Sequence, residues 1–186
     1  MAKTVLRFVT VSDLHIKGYD DENCRRIGEM LEEVCSLAEK DPDHPALDAL
    51  ILNGDTANDG TEEQFAAALN AVKTSLPRQT DLSVIIARYH DCGRAKDRDG
   101  LALFRRLSGL ETDFHKVIEG FHFIGVSVSD DIRVHYSDGQ KAWLANCVEY
   151  EPVYFALRHL SAASSSLRIR KYASFVFLAA QHLKTK

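Results

Sequence analysis

Three things are scarce in this 186-residue chain, and each absence closes off a class of protein. The four cysteines, Cys24, Cys35, Cys92 and Cys147, include no C-x-x-C pair. That excludes a disulfide scaffold or a zinc-ribbon spacing and suits reduced thiols in a cytosol. Long apolar runs are missing too. The first one begins at Val5 and is broken by Arg7, too short for the apolar region of a signal peptide or for the roughly 18 residues of a membrane span. A cytoplasmic location with no membrane partner is the expectation. Excess positive charge is also absent: the formal net charge is −4, and basic residues gather only at 94–98 and 168–171. No patch of the kind that holds a nucleic-acid backbone is expected.

What is present describes an ordinary globular domain. At 45% hydrophobic and 27% charged residues, the chain can bury a core at about the length of one domain. Strand-like runs at 5–11, 47–52 and 82–86 alternate with helical patterns, which argues for an α/β fold. Ile27, Leu31, Val34 and Ala38 recur along one face of a first helix. Thr61-Glu62-Glu63-Gln64 has the form of a capping box opening a second, which carries Phe65, Leu69, Val72 and Leu76 and stops at Pro77. A short helix is expected around Leu101, Phe104 and Leu107. Segment 114–128 reads as two strands turning at Glu119-Gly120. A further strand fits 153–157, and Ile169, Tyr172, Val176 and Ala179 give a weak helical spacing in the tail.

The chemistry-bearing residues collect where the strands end. Asp13-Leu14-His15 follows the first strand, Gly54-Asp55-Thr56-Ala57-Asn58-Asp59-Gly60 the second, and Arg88-Tyr89-His90-Asp91 the third. Ligands in open α/β sheets gather outside the carboxyl ends of strands, so residues distant in sequence meet there. Carboxylates and imidazoles together suit divalent metals, and the glycines allow Asp55 to project from a tight turn.

This order, D-x-H then G-D-x-x-x-D-G then a strand leading into H-D, resembles the calcineurin-like metallophosphoesterases. Gly139-Gln140-Lys141-Ala142-Trp143-Leu144 is similar to the Q-x-x-W-L helix of that family. The resemblance covers about residues 4 to 157. It implies a sandwich of mixed β-sheets flanked by helices, and hydrolysis of a phosphomonoester or phosphodiester by a metal-activated hydroxide. It also implies two divalent ions, with Mn, Fe and Zn equally compatible. Asp13 and His15 would hold one metal, Asp55 would bridge both, and His90 would serve catalysis beside the scissile phosphate. Asn58, Asp59 and Asp91 would orient these groups or touch substrate.

The chain departs from the family pattern at three places. Tyr89 stands where the family has an Asn ligand for the second metal. His159 supplies a later ligand only with a one-residue shift in alignment. The closing G-H-x-H motif is absent. The resemblance is therefore to a truncated or degenerate member, with a metallophosphoesterase-like domain over 1–160, an atypical tail over 161–186 and an incomplete second sheet. Such a copy is expected to hold one ion tightly or none and to turn over slowly. An uncovered sheet edge would favour self-association. The alternative is a catalytically silent remnant that binds metal weakly or acts as an interaction module.

Overall fold

The computed structural model describes residues 4–85, 90–92, 100–127, 137–148, 154–157 and 176–179. Tyr89, His135, His159 and His182, both basic clusters and the serine-rich stretch at 161–166 lie outside them. The described chain is a mixed α/β fold with four helices and two small sheets. No helix among the described residues is long and apolar enough to cross a membrane.

The first sheet is parallel, in the order β1 (Phe8–Val11), β2 (Ala49–Asn53), β3 (Asp81–Ile85). Parallel neighbours need crossovers, supplied by α1 (Glu22–Glu39) and α2 (Glu62–Ser75). β2 is buried along its whole length, as its uninterrupted apolar run requires of a central strand covered on both faces. The period of two sorts its side chains. Leu50 and Leu52 point to the helices, with Val9, Val11 and Val84 from the neighbouring strands. There they meet Ile27, Leu31, Phe65, Leu69, Val72 and, from α3 (Gly100–Ser108), Phe104. Phe65 and Phe104 meet edge-on, with ring centroids 5.4 Å apart. Ile51, Ile85 and Phe8 point the other way, onto Phe114 and Phe123 of the second sheet.

That second sheet runs β4 (Phe114–Ile118), β5 (Phe121–Gly125), β6 (Tyr154–Leu157), β7 (Val176–Ala179). β4 and β5 form the expected hairpin, and Glu119 and Gly120 both take positive φ (50° and 80°), as a two-residue turn compatible with strand twist demands. The tail departs from its helical spacing: residues 176–179 form a strand antiparallel to β6. The sequence there is Val-Phe-Leu-Ala, and β-branched and aromatic residues favour a pleated surface. Periodicity cannot separate a short apolar strand from a buried helical turn. The helix expected at 139–144 is present and longer, as α4 at Asp138–Val148. Ser137 and Gln140 close a reciprocal capping box at its start. The Gln140 amide also donates to Asp113 (2.8 Å) and to the Ser127 carbonyl (3.0 Å), tying the helix to the hairpin.

The Phe114–Gly125 cross-strand pair generates a prediction about stability. A Cβ on Gly125 would stand 2.2 Å from the Phe114 ring, which is itself buried. Gly125→Ala should therefore cost about 1–3 kcal/mol in urea denaturation, the usual range for overpacking a core. The loss should be much smaller when introduced into Phe114→Leu. Equal losses in both backgrounds would show that the ring is not the obstacle.

Candidate metal centre

The loops that leave β1 and β2 run side by side as a continuation of the parallel sheet. Asp13 N–H donates to the Gly54 carbonyl (3.2 Å), His15 N–H to the Asp55 carbonyl (2.9 Å) and Ile16 N–H to the Thr56 carbonyl (3.1 Å). Asn58 N–H returns a bond to the Ile16 carbonyl (3.0 Å). Ile16 and Ala57 form a parallel bridge, and both are fully buried.

This pairing is made in an uncommon conformation. Asp13, His15 and Asp55 all have positive φ, at 58°, 46° and 52°. Asp and His tolerate that region better than most residues, yet each such position carries strain. Asp13 and His15 thus reach the same side through two left-handed turns, rather than as alternate positions of an extended strand. Among the described non-glycine residues only Glu119, in the hairpin turn, shares the conformation. Strained residues cluster where side chains must be aimed.

Aimed they are. One donor atom from each of His15, Asp55 and His90 lies within 4.8 Å of the others. His15 Nε2 is 4.0 Å from Asp55 Oδ2 and 3.9 Å from Asp13 Oδ1. These separations are too long for hydrogen bonds. They match donors facing a common ion, since ligands about 2.0–2.2 Å from a metal sit roughly 3–4 Å apart. The Asp55 side chain is buried, while those of His15 and Asp13 are about one-third exposed. His15 Nδ1 is buried and has no hydrogen-bond partner among the described residues. Nε2, not Nδ1, faces the two carboxylates, so the cost of this unpartnered buried nitrogen is separate from any ion held between them. The donor set of two imidazoles and a carboxylate suits Zn, Mn or Fe.

Around this cluster the neighbouring groups fix orientation. His90 Nδ1 lies 2.7 Å from the Asn58 carbonyl. A carbonyl can only accept, so Nδ1 carries a proton. The His90 ring stands edge-on to His15, centroids 4.4 Å apart. Asp91, wholly buried, accepts from Ala57 N–H at 2.8 Å and pins the loop after β3 to the loop after β2. Ser12 Oγ donates to Asp13 Oδ2 at 2.5 Å. Asn58 Nδ2 donates to Asp59 Oδ2 at 2.7 Å, so Asp59 steadies the loop whose carbonyl holds His90.

Of the site residues expected from sequence, Asp13, His15, Asp55 and His90 therefore meet, with Asp13 at the margin of the tight group. Asn58, Asp59 and Asp91 hold the loops, and Asn58 acts through its backbone oxygen. Sequence reasoning missed Gln64. Its backbone N–H does bond the Thr61 hydroxyl (3.3 Å), as half of a capping box. Its side-chain oxygen, however, accepts from Asp59 N–H at 2.7 Å, because the turn at Gly60 brings that donor within reach. The capping signature concealed a link between α2 and the site loop.

Cysteine chemistry is disfavoured at the thiols whose surroundings are defined. Burial raises the pKa of Cys24, Cys35 and Cys147, and the nearby carboxylates of Asp21 and Glu39 raise the first two further. None is a ready thiolate nucleophile. A comparison with protein-family models gave no match to this chain, and a comparison with curated proteins gave none either.

Relief of the strain provides a test of the site. Glycine adopts positive φ freely, and Asp13 is partly exposed. Asp13→Gly should raise metal-free stability by about 0.5–1 kcal/mol while weakening Mn2+ or Zn2+ binding. Calorimetry paired with chemical denaturation measures both. A variant less stable than wild type would show that the Asp13 conformation carries no strain worth relieving.

Proposed function

We propose that the chain is a metal-dependent phosphoesterase that holds one divalent ion and hydrolyses phosphomonoesters or phosphodiesters slowly. The observation that carries this reading is the convergence of His15, Asp55 and His90, with Asp13 beside them, just past the ends of three parallel strands. The two sheets meeting across Phe8, Ile51, Ile85, Phe114 and Phe123 support the sandwich that the resemblance to calcineurin-like metallophosphoesterases implies.

His15 and Asp55 would hold the ion, with Asp13 as the adjoining carboxylate. A bound divalent ion supplies Lewis acidity, acidifying water and polarising a phosphoryl oxygen. The chain's own contribution is orientation and proton handling. Asn58 fixes the His90 ring through Nδ1, so Nε2 is the atom that holds and releases a proton for the leaving oxygen. Asp91 keeps His90 at that position by anchoring its loop. The second ion of the family would lose the Asn that Tyr89 replaces, leaving Asp55 as its one certain ligand. A clamp with one ion stabilises fewer of the oxygens of an in-line displacement than a clamp with two, hence the slow rate.

Metal analysis and hydrolysis of a generic aryl phosphate test the reading together. Wild type should retain about one ion per chain and show slow, metal-dependent turnover. Asp55→Ala should lose the ion and more than roughly 100-fold of the rate, the scale on which metal-site residues act. His90→Gln should keep the ion and lose about 10²–10⁴-fold, as expected for a proton donor. Loss of the ion in His90→Gln would move His90 into the coordination sphere. Metal-loaded wild type with no hydrolysis above the Asp55→Ala background would favour the silent remnant.

A further inference from the structure

Away from the strand ends, the β4–β5 hairpin carries a second group of metal-capable side chains. Phe114 and Phe123 turn inward to the core between the sheets. By the alternation of a strand, His115 and His122 occupy the opposite face. The register sets His115 against Ile124 and His122 against Val117, so the two imidazoles are diagonal neighbours on adjacent strands. Their rings lie 5.0 Å apart, tilted by 35°, and His115 Nε2 is 2.7 Å from His122 Nδ1. On the same face Val117 is 58% exposed and Ile124 fully buried, while His115 is exposed and His122 half-buried.

A nitrogen–nitrogen separation of 2.7 Å requires one donor and one acceptor, so the pair shares a single proton between two converging lone pairs. That geometry belongs equally to a chelate. With metal–nitrogen bonds of about 2.0–2.1 Å, two imidazoles on a tetrahedral ion stand ~3.3 Å apart. The rings need to part by roughly 0.6 Å, a small side-chain rotation that the exposed His115 can make. The two-residue turn at Glu119-Gly120 holds the strands in register, so little ordering remains to oppose binding.

We propose that His115 and His122 form an outward-facing transition-metal site, independent of the His15, Asp55 and His90 cluster. An ion takes the place of the shared proton, which moves to the other nitrogen of the donor ring, and bridges β4 to β5. Nitrogen donors select Zn2+, Cu2+ or Ni2+ and reject Mg2+ and Ca2+, which take oxygen ligands. Water supplies the remaining coordination positions. The site rests on neither the ligands nor the activity proposed above.

Imidazole 1H–15N correlation spectra of the full chain, stripped of metal and titrated with ZnCl2 at pH 7.5, test this directly. The ring nitrogens of His115 and His122 should shift together on zinc addition. The same shifts should persist in Asp55→Ala, which removes the other cluster, and the His122 shift should be lost in His115→Gln. Wild type should also bind one more zinc than His115→Gln, and MgCl2 should move neither ring. Unchanged Phe114 and Phe123 resonances in His115→Gln confirm that the hairpin is intact. Rings unmoved at tenfold excess zinc would overturn the proposal, as would a His122 shift undiminished in His115→Gln.

Discussion

Four backbone hydrogen bonds hold the loops after β1 and β2 against each other, and the candidate site depends on them. The bonds from Asp13, His15 and Ile16 to the Gly54, Asp55 and Thr56 carbonyls, with the return from Asn58, extend the parallel sheet beyond its last regular residue. They do so with three non-glycine residues in the left-handed region. The strain is held in place by what surrounds it. Ile16 and Ala57 are sealed in the interior, Asp91 grips the Ala57 amide, and Gln64 grips the Asp59 amide. Local strain of this kind persists only where neighbouring structure over-determines it. Its result is that the His15 and Asp55 side chains point to one place, with His15 Nε2 and Asp55 Oδ2 4.0 Å apart, too far for a hydrogen bond.

The rest of the fold can be understood as support for that arrangement. β2 is buried on both faces, so its carboxyl end is a fixed point from which Asp55 projects. Helices cover one face of the first sheet and the β4–β5 hairpin covers the other. The same layering that makes the core thus leaves the strand ends as the open edge where ligands can enter, as in α/β sheets generally. Energy held in the site as strain and in unmatched polar atoms such as His15 Nδ1 reduces stability. A bound ion would offset part of that loss, since a ligand that prefers the folded state stabilises it by mass action.

Much of this was legible from sequence because it rests on local rules. The apolar runs of β2 and β3, the face of α1 through Ile27, Leu31 and Ala38, and the Glu119-Gly120 turn follow from periodicity and turn chemistry. The convergence of Asp13, His15, Asp55 and His90 was legible too, since each follows a strand of one parallel sheet. Other features depended on contacts that no local pattern encodes. The left-handed backbone at Asp13 and His15 arises from pairing with residues about forty positions away in the chain. Gln64 looked like a cap and proved to be a tether as well. Residues 176–179 form a strand because β6 offers an edge to pair with, a tertiary partner that outweighs weak helical spacing. The His115–His122 contact needed the hairpin register, which places them diagonally rather than directly opposite.

The central claim is that the paired loops build a metal centre from His15 and Asp55. Anomalous diffraction from crystals of the full chain grown with Mn2+ measures it most directly. The account predicts a peak about 2.0–2.3 Å from an imidazole nitrogen of His15 and a carboxylate oxygen of Asp55. Asp13 should lie at its border, and the peak should vanish in Asp55→Ala. A map with no anomalous density between those two side chains at millimolar Mn2+, the loops being ordered as described, would contradict it.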